Sequence, residues 1–134
     1  MFRAFIIHLI SRAARIRHTM SDSCIFCKIV SGSAKAEIIY HDDQATAFRD
    51  IHPVARTHIL IVPNKHIESV GTFSVEDEPL IGHLFSVAQK IARDEGIAQN
   101  GYRLITNTGI DGGQSVFHLH VHLIGGNRMK HPMG

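Results

Sequence analysis

The stretch GGQSVFHLHVHLIGG, residues 112–126, decides the fold of this chain. It contains three histidines at alternate positions, His118, His120 and His122, and each is flanked by apolar residues. Side chains of a β-strand alternate between its two faces. A strand over Val116–Ile124 is therefore predicted, with all three imidazoles on one face and the apolar residues directed into the core.

The spacing of the three imidazoles argues against a single metal site. With a rise of about 3.3 Å per residue, successive histidines of a strand lie about 6.6 Å apart and the outer pair about 13 Å apart. A metal ion holds each ligand nitrogen at about 2 Å, so one ion cannot engage all three. We expect separate roles for them, since a merely solvated polar face seldom carries three histidines. The preceding Gly112–Ser115 loop supports this, because glycine lets backbone N–H groups approach anions closely.

The rest of the chain predicts an α+β domain whose antiparallel β-sheet has about five strands. A short N-terminal helix is expected at Cys24–Val30. A long helix is expected at Asp77–Glu95, which has acidic residues at its start, apolar residues at helical spacing and Gly96 after its end. Runs rich in β-branched and aromatic residues predict the strands. They cover Glu37–His41, Ala45–Asp50, His58–Val62, Tyr102–Asn107 and Val116–Ile124.

Residues 1–20 differ in composition from the remainder, with four arginines and no acidic residue. They are interpreted as an N-terminal extension, either a mitochondrial transit peptide or the product of an upstream start codon, with Met20 as the working start. The domain is placed at residues 21–134. We expect a cytoplasmic location, or a mitochondrial one if residues 1–20 are a transit peptide.

Charge and hydropathy exclude two classes of partner. Without residues 1–20 the chain has 10 basic and 12 acidic residues, a net charge of −2 against +2 for the whole sequence. No basic stripe is present that would follow a nucleic-acid backbone, so no nucleic acid is expected. No apolar run reaches the roughly 18 residues of a membrane-spanning helix, so no membrane is expected either.

The 112–126 stretch resembles the histidine-triad (HIT) superfamily, whose signature is His-x-His-x-His with apolar residues between the histidines. The Gly125-Gly126 pair resembles the histidine-triad nucleotide-binding branch, which contains the purine nucleoside phosphoramidases. Asp50–Pro53 and Thr57–Pro63 resemble the same branch, and the similarity runs from about Cys24 to Gly134. The resemblance implies a HIT-like fold and a hydrolase. The reaction expected is cleavage of the P–N bond of purine nucleoside phosphoramidates, such as AMP-amine or AMP-lysine conjugates, through a covalent nucleotidyl–histidine.

The resemblance also implies a role for each catalytic residue. His120 is the expected nucleophile, with a ring nitrogen held by a backbone carbonyl or a neighbouring group. His122 is expected to donate a hydrogen bond to a phosphate oxygen, and Ser115 to contact the leaving group. Around these groups, His58 is an orienting partner or a satisfied buried histidine, and His118 completes the triad. The expected phosphate shell adds Asn107, Gly113 and Gln114.

For the nucleoside, the resemblance implies a carboxylate and an apolar sandwich. Asp50 corresponds to the residue that grips the ribose hydroxyls, and a carboxylate can accept two such hydrogen bonds. Ile51 lies beside it. The residues expected against the base are Ile25, Phe26 and Phe48, for which ordinary core packing is the alternative.

Cys24, Cys27, His66 and His118 correspond to a zinc site that some members of the superfamily have and others lack. Two thiolates and two imidazoles suit a closed tetrahedral structural zinc. A redox role for the C-x-x-C pair is the weaker alternative, because no βαβ pattern follows it. The chemistry requires no cofactor, because His120 must stay free of metal.

The resemblance further implies a homodimer. The strand at Tyr102–Asn107 and the long helix offer an apolar surface for a two-fold pairing. One departure concerns the C-terminal tail, which in this branch often carries a Trp before a Pro and approaches the partner's active site. This chain has Lys130–Gly134 there and no tryptophan anywhere, so the leaving-group preference stays open.

Other members of the superfamily supply the alternative functions. A dinucleoside polyphosphate hydrolase or a nucleotidyltransferase is one, and a nucleotide-binding regulatory module is the other. An intact set of three histidines and Ser115 disfavours pure binding, which needs no nucleophile.

Overall fold

The computed structural model describes residues 23–133, so the predicted extension at residues 1–20 lies outside the described part of the chain. The elements within that part follow the predicted order. They are α1 (Ile25–Ser31), β1 (Ile38–His41), β2 (Ala45–Arg49), β3 (Thr57–Pro63), a 3-10 turn (Val75–Asp77), α2 (Glu78–Asp94), β4 (Tyr102–Ile105) and β5 (Val121–Gly125).

The five strands form one antiparallel sheet in the order β1-β2-β3-β5-β4. Strand β3 lies at its centre, and all seven of its residues are buried. An antiparallel strand that is buried throughout must be covered on both faces. The sheet therefore has one face packed against α2 and an opposite face that carries α1. The expected α+β fold with an antiparallel sheet is confirmed.

The face against α2 holds the main core. Leu84, Val87, Ala88 and Ile91 of α2 are buried at helical spacing against the sheet. The sheet contributes alternate residues of its strands, among them Ile59, Ile61, Val121 and Leu123. The helix begins with Pro79 in its first turn, where the missing N–H costs nothing. The predicted long helix is thus confirmed, with the 3-10 turn added before it.

The opposite face holds α1 and the histidines. A smaller core cluster there joins Phe26 and Ile29 of α1 to Phe48, Leu60 and Val62 of the sheet. The side chains of His58 and His122 belong to this face as well. The register pairs Leu60 with His122 and His58 with Ile124, which makes His58 and His122 diagonal neighbours on adjacent strands.

The predicted strand over Val116–Ile124 is wrong in its first half, because β5 begins only at Val121. Before that point the backbone makes other hydrogen bonds, since the Leu119 N–H donates to the Ile67 carbonyl at 2.7 Å. The His118 carbonyl in turn accepts a side-chain bond from His120. Strand alternation therefore accounts for the orientation of His122 alone. The apolar residues between the histidines nevertheless enter the main core, as predicted.

Within residues 23–133, no helix is both long enough and apolar enough to cross a membrane.

Candidate active site

The histidines border a cleft of about 560 Å³ between α1 and the sheet. One wall is apolar and comes from α1 and β2, and the opposite wall carries imidazoles and a carboxylate. The lining residues that the site uses are Ile25, Phe26, Ile29, Phe48, Asp50, Ile51, Val54, His58, Leu60, Ser115, His120 and His122. An apolar wall that faces a few convergent polar groups is the usual form of a small-molecule site.

His120 has one ring nitrogen committed to the backbone. Its Nδ1 lies 2.7 Å from the His118 carbonyl oxygen. A carbonyl can only accept, so Nδ1 carries the hydrogen and donates it. In the neutral ring, Nε2 is then left with a lone pair. The ring is almost entirely buried yet borders the cleft, so that Nε2 is a candidate nucleophile in a largely desolvated position.

The tautomers of His58 and His122 follow from a backbone amide. The Val54 N–H donates to Nδ1 of His58 at 3.1 Å, so the neutral His58 ring must carry its hydrogen on Nε2. That Nε2–H donates to Nδ1 of His122 at 2.8 Å. With Nδ1 of His122 accepting, its own hydrogen lies on Nε2. His122 can therefore donate an N–H to an anionic ligand, while the adjacent His120 offers a lone pair.

Burial keeps these rings neutral near pH 7. Desolvation lowers the pKa of His58, and the nearby Asp50 carboxylate opposes part of that shift. Desolvation, with smaller contributions from His120 and His58, lowers the pKa of His122 to about 4. A neutral histidine can hold one lone pair and one N–H in defined positions, whereas the protonated form has no lone pair. The shifts thus preserve the hydrogen-bond directions derived above.

Asp50 follows directly after β2 and closes the polar wall. One carboxylate oxygen, Oδ1, accepts the His52 N–H at 2.8 Å, which fixes the side-chain direction. The other, Oδ2, lies 3.3 Å from Nε2 of His58. The side chain keeps 17% of its surface exposed. Its carboxylate can therefore accept hydrogen bonds from a ligand without leaving its protein partners.

The apolar wall is built around Phe26. Its ring meets Phe48 edge-on at 5.3 Å and His120 edge-on at 5.1 Å, so it touches both the wall and the candidate nucleophile. Phe26 and Phe48 are buried, whereas Ile25 and Ile51 are exposed at the rim of the cleft. A wall of this kind suits a flat aromatic ring. Phe26 and Phe48 pack in a core cluster and also line the cleft, so their contact with a base stays a prediction.

The glycine-rich loop is closed on itself. Gly113 has a φ of +74°, and its N–H donates to the Ile110 carbonyl at 3.0 Å. The backbone N–H of Gln114 donates to the Gly109 carbonyl. The side-chain NH₂ of Gln114 donates to the Glu68 and Val116 carbonyls at 2.8 and 3.1 Å. A Cβ on Gly112 would approach the Thr108 carbonyl oxygen to 2.4 Å. The loop is thus a rigid brace for the segment that leads to the histidines.

Of the phosphate shell expected from the sequence, Ser115 alone lines the cleft. Asn107, Gly113 and Gln114 are not among the lining residues. The amides of Gly113 and Gln114 are already hydrogen-bonded within the loop. The structure therefore brings Ser115 to the histidines and leaves these three residues behind it.

The four expected metal ligands come together below the cleft. Ligand atoms of Cys24, Cys27, His66 and His118 all lie within 4.8 Å of one another. Sγ of Cys24 and Nδ1 of His118 are 3.3 Å apart, as are Sγ of Cys27 and Nδ1 of His66. The Nε2–H of His118 donates to the Pro63 carbonyl at 2.9 Å and leaves Nδ1 for a metal. In zinc sites, a ligating histidine usually donates its other ring N–H to a carbonyl or a carboxylate, which fixes the tautomer and the ring orientation. The cluster therefore fits a metal ion.

His118 thus occupies a different environment from the other two triad histidines. Its side chain is completely buried, and burial lowers its pKa to about 4. A neutral ring with a free Nδ1 is the form that binds a metal.

Asp50, His58 and His122 also lie within 4.8 Å of one another. A metal on Nε2 of His58 would require the ring hydrogen on Nδ1. That nitrogen already accepts from the Val54 N–H. This second group therefore fits a hydrogen-bond relay better than a metal site.

Three contributions to the cleft had no place in the sequence prediction. Leu60 and Ile29 complete the apolar wall. Strand alternation from His58 would have found Leu60, and helical spacing from Phe26 would have found Ile29. No sequence signal marks the Val54 N–H, because every residue except proline has a backbone N–H.

Comparison with known protein families identifies the class to which this fold and this histidine arrangement belong. The family model described as HIT domain matches residues 31–129. The chain belongs to this family and is a hydrolase.

Individual relatives narrow the comparison. The chain is 52% identical to a purine nucleoside phosphoramidase of Escherichia coli K12 over 107 residues, which cover 80% of this chain and 90% of that protein. It superposes on a HIT family hydrolase from Legionella pneumophila with a TM-score of 0.80 and 43% identity, covering 83% of this chain and 99% of that one. A HIT family hydrolase from Clostridium thermocellum gives a TM-score of 0.81 and 42% identity, covering 84% of this chain and 97% of that one.

Proposed function

We propose that the chain hydrolyses the P–N bond of purine nucleoside phosphoramidates through a nucleotidyl–histidine on His120. The observation that carries the proposal is the pairing of opposite tautomers in one cleft. His120 offers a lone pair on Nε2, and His122 offers an N–H on Nε2. The similarity to the Escherichia coli purine nucleoside phosphoramidase supports the substrate class.

The reaction proceeds in two displacements. Nε2 of His120 attacks the α-phosphorus, the P–N bond breaks, and the leaving nitrogen takes a proton from solvent and departs as the amine. Water then attacks the same phosphorus and returns a proton to solvent, the bond to Nε2 breaks, and the nucleoside monophosphate is released. His122 donates its N–H to a phosphate oxygen as negative charge grows in each transition state. Splitting one displacement into two easier ones is the general advantage of a covalent intermediate.

His58 and the Val54 N–H act as positioning groups in this scheme. By accepting on Nδ1, His58 is restricted to the tautomer that donates to His122. Ser115, which is exposed at the cleft, is the proposed contact of the leaving amine. Gly113 and Gln114 support the phosphate site indirectly, through the brace that leads to Ser115.

Nucleoside recognition is assigned to the two walls of the cleft. Asp50 accepts hydrogen bonds from the ribose hydroxyls, and Ile51 borders it. The base lies against Ile25, Phe26 and Phe48. Purines bury more apolar surface there than pyrimidines do, which favours them energetically.

The Cys24, Cys27, His66 and His118 cluster is proposed to hold a structural zinc. Thiolates and imidazoles together suit zinc better than the oxygen-preferring magnesium or calcium. When bound, the ion would crosslink α1 to the segment before β5. It would not contact the phosphate that reacts. The chemistry needs no cofactor, because His120 is outside the donor set.

We further propose a homodimer paired through β4 and α2. Strand β4 is at the edge of the sheet, and an exposed edge strand is a template for pairing with another chain. Tyr102 on that strand and Phe85 on α2 are exposed apolar side chains. Light scattering at micromolar concentration should give twice the chain mass of 14.9 kDa. The single-chain mass would refute the dimer.

The substrate class is tested by comparing two compounds. A fluorogenic adenosine phosphoramidate should be turned over with a kcat/KM far above that for diadenosine polyphosphate. A preference for the polyphosphate would identify the chain as the alternative hydrolase of the superfamily. Binding of both without turnover would leave a nucleotide-binding module.

A further inference from the structure

We infer that zinc in the Cys24–Cys27–His66–His118 cluster controls the affinity of the cleft for nucleotides, and that it does so through the wall that holds the base. The inference rests on the proposed nucleotide cleft and adds a regulatory coupling to it. It concerns binding, and it requires no change in the chemical step.

The cluster and the base wall share helix α1. Cys24 is the N-cap of this helix and Cys27 lies in its first turn. The two residues between them, Ile25 and Phe26, face the cleft. Any movement of the thiolates therefore moves the base wall with them, because no flexible residue separates the two.

The cluster and the nucleophile share His118. Its ring faces the thiols through Nδ1, while its backbone carbonyl holds Nδ1 of His120. The ring of Phe26 packs edge-on against both imidazoles, with centroids 5.9 Å from His118 and 5.1 Å from His120. One aromatic side chain thus touches the metal side and the reacting side of the site.

The segment before His118 is shared as well. Ser115 and Val116 line the nucleotide cleft. They also line a neighbouring depression of about 410 Å³ together with Cys24 and His66. One ion bound by His66, His118 and the two thiolates would therefore join both sides of the cleft mouth.

Without the metal, α1 is held mainly by the apolar packing of Phe26 and Ile29 in the smaller core cluster. The helix has seven residues, and isolated helices below roughly 12 residues are marginal in water. Its thiol–imidazole contacts with His66 and His118, at 3.3 to 3.5 Å, are weak hydrogen bonds. Metal ligation replaces these contacts by bonds that favour the docked helix. If only the docked state binds the base, the apparent affinity falls in proportion to the loss of that state.

Thermodynamic linkage makes the inference doubly testable. If zinc raises the affinity for AMP by some factor, AMP must raise the affinity for zinc by the same factor. The coupling should also depend on the base, because α1 contacts the base and Asp50 holds the ribose. Ribose 5-phosphate, which lacks a base, provides the matched control ligand.

The experiment is calorimetric titration of AMP and of ribose 5-phosphate into the zinc-loaded protein and into the chelator-stripped protein. We expect AMP to bind at least about fivefold more weakly after stripping, within the usual range of site-to-site coupling. The Kd of ribose 5-phosphate should change by less than twofold. Competition with a chromophoric chelator measures the affinity of the protein for zinc. AMP should raise that affinity by the same factor by which zinc raises the affinity for AMP. Equal Kd values for AMP in both forms, or failure of the folded protein to bind zinc, would overturn the inference.

Cys24→Ser and His66→Asn provide a second route in case stripping perturbs the fold. Both variants should show the weaker AMP binding of the stripped protein with added zinc present, whereas the surface variant His83→Gln should bind as the wild type does. Cys24→Ser and His66→Asn proteins with wild-type Kd values for AMP would refute the coupling. The titrations need no turnover, so AMP binding that depends on zinc without phosphoramidate hydrolysis would contradict the proposed function and support this inference.

Discussion

Two imidazoles four residues apart, His118 and His122, have opposite surroundings. His118 is fully buried among thiols, with its Nε2–H donated to a carbonyl and its Nδ1 directed at the sulfur atoms. His122 borders the cleft, with its Nδ1 accepting from His58. Both rings have a pKa lowered to about 4, mainly by burial. The two residues differ in the nitrogen that remains available and in what faces it.

The comparison shows that the hydrogen-bond partner, and not the residue type, assigns the role of each histidine. A carbonyl on Nε2 leaves Nδ1 of His118 available to a metal. A carbonyl on Nδ1 leaves a lone pair on Nε2 of His120, and an imidazole N–H on Nδ1 leaves an N–H on Nε2 of His122. Each of these partners is fixed by the backbone around the sheet. In the proposed mechanism the triad is thus divided into a stabilising side, His118, and a reacting side, His120 and His122.

The largest expected effect lies on the reacting side. His120→Ala should lower turnover of an adenosine phosphoramidate at least about a thousandfold, because it removes the nucleophile. AMP binding by calorimetry should largely survive. His41→Ala, an exposed histidine outside the cleft, is the matched control. Retention of activity in His120→Ala would remove His120 from the mechanism.

The next effect lies on the stabilising side. Removal of zinc should lower the melting temperature by about 10 °C, since a ligand at about 100 times its Kd stabilises by roughly 2.7 kcal/mol. The rate at saturating substrate should change little. Cys24→Ser should melt as the chelated wild type does, and chelator should not affect it further. An unchanged melting temperature in both tests would make the cysteines ordinary buried side chains.

Asp50 should give a moderate effect on binding. Asp50→Asn should weaken AMP binding by about 1–3 kcal/mol, the range for hydrogen bonds to a charged group. The loss should be much smaller for the dideoxyribose nucleotide, and Asp43→Asn in the exposed turn is the matched control. Equal losses on both nucleotides would show that Asp50 does not hold the ribose.

The smallest effect concerns pH and stability. An unfolded histidine titrates near pH 6.5, while burial lowers the pKa of native His122 to about 4. Between these values the unfolded state binds more protons, so stability falls as the pH falls from about 6.5 to 4. His122→Gln removes one such group and should reduce that slope by up to about one proton. Urea unfolding at three pH values measures it, with His131→Gln in the exposed tail as control. An unchanged slope would indicate that native His122 is not protected from protonation.

The fold was largely predictable because its signals are local. The apolar spacing of α2 and the β-branched runs of β2 and β3 place these elements within a few residues of their observed bounds. The late start of β5 was not predictable. It depends on the hydrogen bond between the Leu119 N–H and the Ile67 carbonyl, two residues far apart in the sequence.

The candidate site was predictable in its residue types and less so in their arrangement. The resemblance pointed to the Cys–His set and to Asp50, which the structure brings to the expected clusters. The use of the Gly113 and Gln114 amides inside their own loop was not evident, because a glycine-rich sequence is compatible with both anion binding and a tight turn. The tautomers of His58 and His122 depend on the hydrogen bond from the Val54 N–H, and no sequence pattern marks that N–H as a donor to a side chain.

The stereochemistry at phosphorus distinguishes a covalent intermediate on His120 from direct attack by water. A single diastereomer at phosphorus of an adenosine phosphoramidothioate, hydrolysed in ¹⁸O-labelled water, gives a product that is chiral at phosphorus. Two in-line displacements, one by His120 and one by water, predict overall retention of configuration. Inversion would mean that water attacks the substrate directly, and it would contradict the account.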